Sequence, residues 1–211
     1  QEEQAKEMAF LSKALLIAVL LIFLILVAQF NSATTPIIIS ISVFLSLIGV
    51  LFGLLLFRMD FVVLMTMIGI ISLAGIVVNN AIVLIDYINL TIIRKRRELD
   101  LETNEKLTPN LLVECVVEAG KTRLRPVLLT AITTILGLLP LALGININFR
   151  TLITELNPNF YIGGENVAFW GPMGWAIVFG LTFATFLTLV VVPILFYLIN
   201  KLKTKKVKVT S

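Results

Sequence analysis

Polar and apolar positions alternate along this chain in blocks. Apolar runs of about twenty residues recur, the length that crosses roughly 30 Å of hydrocarbon at 1.5 Å per residue. Five runs are expected as transmembrane helices, at about residues 9–30, 37–57, 61–90, 125–145 and 170–200. The breaks between them are short or strongly polar. NSATTP, Asn31 to Pro36, reads as a turn whose proline suits the first turn of the next helix. Arg58-Met59-Asp60 is a tight polar corner, and Lys13 lies near one end of the first run, where it can snorkel. RKRRELDLETNEKL, Arg94 to Leu107, reads as a solvated connector. After it, Thr108 suits an N-cap, Pro109 the first helical position and Gly120 a helix stop. Between them Leu111, Leu112, Cys115, Val116 and Ala119 share one helical face, with Glu114 and Glu118 away from it. Such a helix either lies in the headgroup plane or packs on a soluble partner. The first reading gives a cytoplasmic interfacial amphipathic helix at about 108–120.

Within the runs, small residues recur at helical period. The second carries Ser42, Ser46, Gly49 and Gly53; the third Gly69, Ser72, Gly75 and Asn79; the last Ala176, Gly180, Ala184 and Thr188. In lipid the hydrophobic drive between helices is weak, so small residues that permit close approach mark the contacts. Each of these spans is expected to have one close-packing face.

Composition fixes the environment. The chain is 58% hydrophobic and 14% charged, against about 25% charge in soluble domains, with a mean hydropathy of +1.01. We expect an all-α integral membrane protein. The net charge of +4 is no nucleic-acid signature, because the basic residues sit between apolar runs. Of 17 Lys and Arg, eight lie from Thr91 to Arg125 and five in the tail 201–211. With an odd number of spans and an outer N-terminus, those two groups fall on the cytoplasmic side, leaving Lys6, Lys13, Arg58 and Arg150 for the other face. Phe160, Tyr161, Phe169, Trp170 and Trp175 are expected to form an aromatic belt at the outer interface. Cys115 is the single cysteine and histidine is absent, so no disulfide framework, thiolate metal site or histidine proton shuttle is expected. No glycine loop of phosphate-binding form appears either, so neither an enzyme nor a cofactor is expected. The first apolar run is too long for a signal peptide and lacks a basic leader, so the chain reads as a piece of something longer.

Against this background the polar residues inside GIVVNNAIVLID, Gly75 to Asp86, stand out. Asn79 continues the small-residue face, and Asp86 lies two turns further along it. A charge at the bilayer centre costs about 2.5–3.5 kcal/mol on insertion scales. Asp86 is the one acidic residue placed within a span, nearer its cytoplasmic end, where Arg94 or water is an expected partner. The fourth span carries a second stripe: Arg123, Thr130, Thr134 and Gly137 share a side, Pro126 begins the span, and Pro140 kinks or ends it. Two facing stripes suit a hydrogen-bonded path for a proton or small cation. The competing reading is packing glue, worth about 0.6 kcal/mol per contact. The residue pattern leaves both open and names no substrate.

Three stretches together carry a resemblance: GIVVNNAIVLIDY, RLRPVLLTAITTILGLLPLA (Arg123 to Ala142) and GENVAFWGPMGWAIVFGL (Gly164 to Leu181). They resemble the C-terminal membrane half of resistance-nodulation-division (RND) efflux permeases, with the hydrophobe/amphiphile multidrug exporters as the closest subgroup. In that family a protomer has twelve spans in two pseudo-repeated halves, with large periplasmic domains after the first and seventh. The resemblance makes this chain spans eight to twelve, with Gln1 to Met8 entering from the second periplasmic domain. It implies a cation-driven antiporter of the bacterial inner membrane, with the proton as the expected coupling ion. The implied partners are the first six spans and periplasmic domains of the same permease, a homotrimer, the lipid bilayer, a periplasmic adaptor and an outer-membrane channel. It also implies an ion-coupling relay whose carboxylates lie outside this chain, with Arg123 and Thr130 on the eleventh span. The tenth-span lysine position falls on Asn79, followed by Asn80. Asn cannot carry the positive charge, but it can hydrogen-bond either form of an acid. Asp86 and Thr134 are secondary candidates. A lipid, metal or protein-export accessory permease of another RND branch, or a membrane scaffold, are the alternatives.

Overall fold

The computed structural model describes residues 2–30, 34–100, 107–147, 153 and 160–208. The expectations for 31–33, for 101–106 of the connector and for Arg150 lie outside these residues. Five helices long and apolar enough to cross a membrane form the fold: α1 (Glu2–Phe30), α2 (Thr34–Leu56), α3 (Val63–Glu98), α4 (Pro109–Leu143) and α5 (Glu165–Lys208), with strands β1 (Ile145–Ile147) and β2 (Phe160–Ile162) between the last two. The protein is all-α in its membrane part, as its periodicity requires.

The helices exceed the apolar runs that predict them. α3 has 36 residues, about 54 Å at 1.5 Å per residue, so it outlasts a bilayer core. Its last turn is built from Lys95, Arg96 and Arg97, good helix formers whose charges suit the C-terminal dipole. α2 ends in a cap made by a residue other than glycine. Arg58 adopts φ 52°; its N–H bonds Leu55 O at 3.2 Å, and that of Met59 bonds Leu54 O at 2.9 Å. These are the two bonds of a Schellman motif, and they make the sharp corner that the sequence indicates.

The helix that begins at Pro109 does not stop at Gly120. It continues as a single α-helix through Pro126 to Leu143, so Pro126 is interior and does not begin the element. Gly120 lacks the left-handed backbone a stop requires; Gly144, at φ 72°, supplies it instead and donates to Pro140 O. Thr108 occupies the N-cap position but makes no side-chain capping bond. Of the apolar face expected on 108–120, Cys115, Val116 and Ala119 are buried, Val116 and Ala119 in a cluster with Ile85, Ile88 and Phe196, while Leu111 and Leu112 are half-buried.

Beyond Gly144 the chain forms a small antiparallel ribbon, Ile145 opposite Ile162 and Ile147 opposite Phe160. Asn146 closes it by donating from Nδ2 to Gly144 O at 3.0 Å and Gly163 O at 2.8 Å. Ile145, expected in the fourth span, belongs to this ribbon.

α5 is the hub, packed against α2, α3 and α4, while α1 rests on α2 and α3. The small residues explain how the hub closes. Gly180 sits where a Cβ would come 2.7 Å from Val50 Cγ2, and a Cβ on Gly49 would come 2.8 Å from Phe183 Cγ. Ser42, Ser46, Ala176, Ala184 and Thr188 are all buried. The close-packing faces expected on the second and last spans therefore form within this chain.

Candidate functional site

The polar residues singled out by the sequence lie on α3 and α4, which run antiparallel. Two contacts fix their register. Lys95 Nζ meets Glu114 Oε1 at 3.7 Å, and the Arg123 guanidinium lies over the Tyr87 ring, Cζ 4.4 Å from the centroid. Extending this register by two turns sets Asn79 and Asn80 level with Thr130. The two stripes occupy the same depth, as the sequence reading expects.

Their surroundings differ from that reading. Asn79 is exposed, whereas Asn80 is only 7% exposed and turned into the helix bundle. Adjacent positions lie about 100° apart on a helix, so the pair straddles the edge of the α3 contact face. The small-residue face of α3 divides similarly. Gly69 is tight against Met173 and Ala176 of α5, but a Cβ on Gly75 would meet nothing within 4 Å. Ser72, Gly75, Asn79 and Asp86 form an exposed stripe. On α4 Thr130 and Gly137 are likewise exposed, and Gly137 also has open space at its Cβ position. Among the described residues, the face expected to look at other helices is exposed at Ser72, Gly75, Asn79 and Asp86.

The threonine hydroxyls satisfy their own helix. Thr130 Oγ1 donates to Val127 O at 2.9 Å, and Thr134 Oγ1 donates to Thr130 O at 2.8 Å. Their protons are engaged locally, leaving oxygen lone pairs to accept from an incoming donor. No side-chain hydrogen bond links Asn79 or Asn80 to Thr130 or Thr134 among the described residues. Asp86 is exposed and forms no ion pair with Arg94. Eight residues separate them, about 12 Å along the axis, so that expected partnership is not formed.

Arg123 is the most constrained candidate. It is partly buried, its Nε lacks a hydrogen-bond partner, and its Cζ lies over the Tyr87 ring. The sequence reading passed over Tyr87, whose only signal is aromatic character beside Asp86. It also passed over Lys95, which bridges Glu98 at 3.4 Å and Glu114. Glu114 chiefly, then Glu98, raise its ammonium above the ordinary lysine value. Beside them the Cys115 thiol is buried, and that burial, followed by Glu114 and Glu118, raises it above the ordinary thiol value.

Five long apolar helices, with a polar seam that is open on two of them among the described residues, define the membrane part of a multi-span protein. A model of the AcrB/AcrD/AcrF family matches residues 1–148. The swarming motility protein SwrC of Bacillus subtilis (strain 168) is 39% identical over 196 residues, covering 93% of this chain and 16% of SwrC. The multidrug resistance protein MdtC of Erwinia tasmaniensis is 28% identical over 191 residues, covering 90% of this chain and 16% of MdtC. A crystal structure of a heavy metal efflux pump superposes with a TM-score of 0.70 at 30% identity, over 95% of this chain and 16% of the pump chain. The chain belongs to the AcrB/AcrD/AcrF family and is part of the transmembrane domain of an RND efflux permease. It spans 16% of the length of these relatives.

Proposed function

We propose that this chain is spans eight to twelve of a cation-driven, multi-pass exporter of drugs or other amphiphiles, and that α3 and α4 form one wall of its ion-coupling site. The observation that carries the proposal is the open seam. Asn79 and Thr130 stand level on two neighbouring helices, exposed beside Gly75 and Gly137, whose Cβ positions meet nothing within 4 Å among the described residues. Small residues and hydrogen-bonding groups are what a membrane helix presents to another helix. The first six spans of the permease are the partner that fits, and they bring the carboxylates. Arg123 supplies the cation of the site, Asn79 and Asn80 supply amides able to bond an acid in either protonation state, and Thr130 supplies an acceptor.

In this reading carboxylate protonation breaks its pairing with Arg123 and releases helix shifts, which pass to the periplasmic domains. Carboxylate pKa follows the placement of the opposite charge, so the geometry of Arg123 sets the pH at which the switch operates. The substitution of asparagine at the tenth-span lysine position leaves Arg123 as the one formal cation of the wall. Basic residues grouped in 94–125 and 201–208 favour a cytoplasmic C-terminus and a periplasmic N-terminus in the bacterial inner membrane. The interfacial helix expected at about 108–120 sets the start of α4 at that cytoplasmic surface. The assembled protein is a homotrimeric antiporter, joined to a periplasmic adaptor and an outer-membrane channel.

The test is efflux by the full-length parent, wild type against Arg123→Ala and Asn79→Ala, with expression and trimer assembly checked and proton and sodium gradients imposed separately. Loss of efflux with normal assembly supports the coupling role, and the gradient that drives the wild type identifies the ion. Normal efflux from both variants would refute it and leave these residues as packing groups. Metal or lipid export in place of drug export would move the protein to another RND branch.

A further inference from the structure

Arg123 sits in an arrangement that packing alone does not require. Its guanidinium lies 4.4 Å from the Tyr87 ring centroid, and its Nε is buried without a hydrogen-bond partner. Lys95 pairs with Glu98 and Glu114, whereas Arg123 forms no ion pair with another described residue. A cation drawn out of water needs compensation. Here the compensation from this chain is the negative face of an aromatic ring, which attracts a cation within about 6 Å of its centroid.

The geometry has a consequence. The five N–H donors of a guanidinium fan out around its central carbon, so a ring 4.4 Å from Cζ on one side leaves donors on the other sides uncovered by it. Tyr87 itself is held on α3, where its carbonyl oxygen accepts from Thr91 Oγ1 at 2.9 Å. We infer that Tyr87 is a positioning residue of the ion-coupling site: its ring fixes the place of the Arg123 guanidinium and so leaves the N–H groups turned away from the ring to a carboxylate from the rest of the permease. This inference rests on the coupling role proposed above for Arg123. The attraction comes from the ring, so phenylalanine suffices at position 87 and an aliphatic side chain does not.

The experiment measures export of a fluorescent amphiphilic dye by the full-length permease in proteoliposomes, as a rate against pH under the gradient that drives the wild type. Tyr87→Phe is expected to stay within about twofold of wild type across the profile, since it retains the ring face. Tyr87→Leu is expected to lose about threefold to thirtyfold in rate, the range that cation–π contacts span from exposed to desolvated sites. Its midpoint is expected at higher pH, because a less well placed cation lowers the carboxylate pKa less. Tyr87→Met is run beside it, with trimer assembly checked, so that one poorly folded variant does not decide the result. A rate that falls in both aliphatic variants with an unmoved midpoint assigns Tyr87 a packing role and overturns the inference, as does a wild-type profile in both. Arg123→Ala separates the two ideas. Normal export by that variant refutes the coupling role itself, whereas its loss of export beside an unmoved Tyr87→Leu midpoint overturns only the positioning role.

Discussion

Gly49 and Gly53 of α2 offer the sharpest test of how this half-domain is held together. They face Phe183 and Phe179 of α5, and a Cβ on either would overlap both the ring and the Cβ of the facing phenylalanine. A ring can rotate away, but a Cβ is fixed to its backbone, so alanine forces α2 and α5 apart. Carbon atoms sit best at about 3.5–4.0 Å, which makes the required separation on the order of 1 Å. A gap of that size forfeits a quarter to a half of each dispersion contact along the seam. Overpacking of this kind costs about 1–3 kcal/mol per site, and alanine returns about 1 kcal/mol in helix propensity. The net expectation is a loss of up to about 2 kcal/mol for each single variant. The double variant should fall short of the sum, because both sites open one interface. Gly120→Ala is the control. Its Cβ would meet nothing within 4 Å, so it should be neutral or stabilising by up to about 1 kcal/mol. Unfolding of the full-length permease in mixed micelles, followed by circular dichroism against denaturing-detergent fraction, reads these differences. If Gly49→Ala and Gly120→Ala unfold alike, the close α2–α5 approach is not what holds the bundle.

Other expectations follow from single features. Cys115 is 1% exposed and its thiol is raised, first by burial and then by Glu114 and Glu118, so its folded-state labelling by a maleimide should be slow at neutral pH. The rate should keep climbing above the pH at which an ordinary thiol levels off, and denaturing detergent should abolish the protection; fast labelling at pH 7 contradicts the burial. Gly144 combines φ 72° with a Cβ position crowded by Val167, so Gly144→Ala should destabilise the α4–ribbon junction by more than about 1 kcal/mol, read as faster protease cleavage there. The Lys95–Glu114 contact is largely solvent-exposed at Glu114, so its coupling in a double-mutant cycle should vanish at high salt. A salt-independent coupling would show that this end of α3 and α4 is desolvated in the assembled protein.

Much of the architecture is legible in the sequence because a bilayer imposes it. Backbone groups must be satisfied within each segment, so apolar runs become helices, and the 42-46-49-53 and 176-180-184-188 series emerge as the α2 and α5 contact faces. Helix ends are less legible. α3 runs to Glu98 through RKRR and α4 passes Gly120 and Pro126, because charged residues are good helix formers outside the membrane and a single glycine costs only about 1 kcal/mol. The ribbon at 145–147 and 160–162 escapes notice because three-residue strands are too short to show alternation. Their punctuation by Gly144, Gly163 and Gly164, all at positive φ, is the signal that remained to be read.

The spacing of the polar residues along α3 and α4 was legible in the sequence, but the direction in which each faces was not. A period of three and four says that Gly69, Ser72, Gly75 and Asn79 share a face; it does not say where along that face the neighbouring helix ends. α5 covers Gly69, and open space begins at Gly75, so the stripe is packed within this chain over only part of its length. Its lower-numbered part holds the half-domain together, and the remainder is the part proposed to meet the rest of the permease. That division also separates Asn79 from Asn80, which the sequence presents as a matched pair. A buried amide is restrained by its own bundle, whereas an exposed one answers to whatever docks. Asn79→Ala should therefore act on coupling with little effect on folding of these five helices, and Asn80→Ala should act on folding first. Comparing their detergent unfolding curves with their efflux rates tests that order, and equal destabilisation by both would remove the distinction.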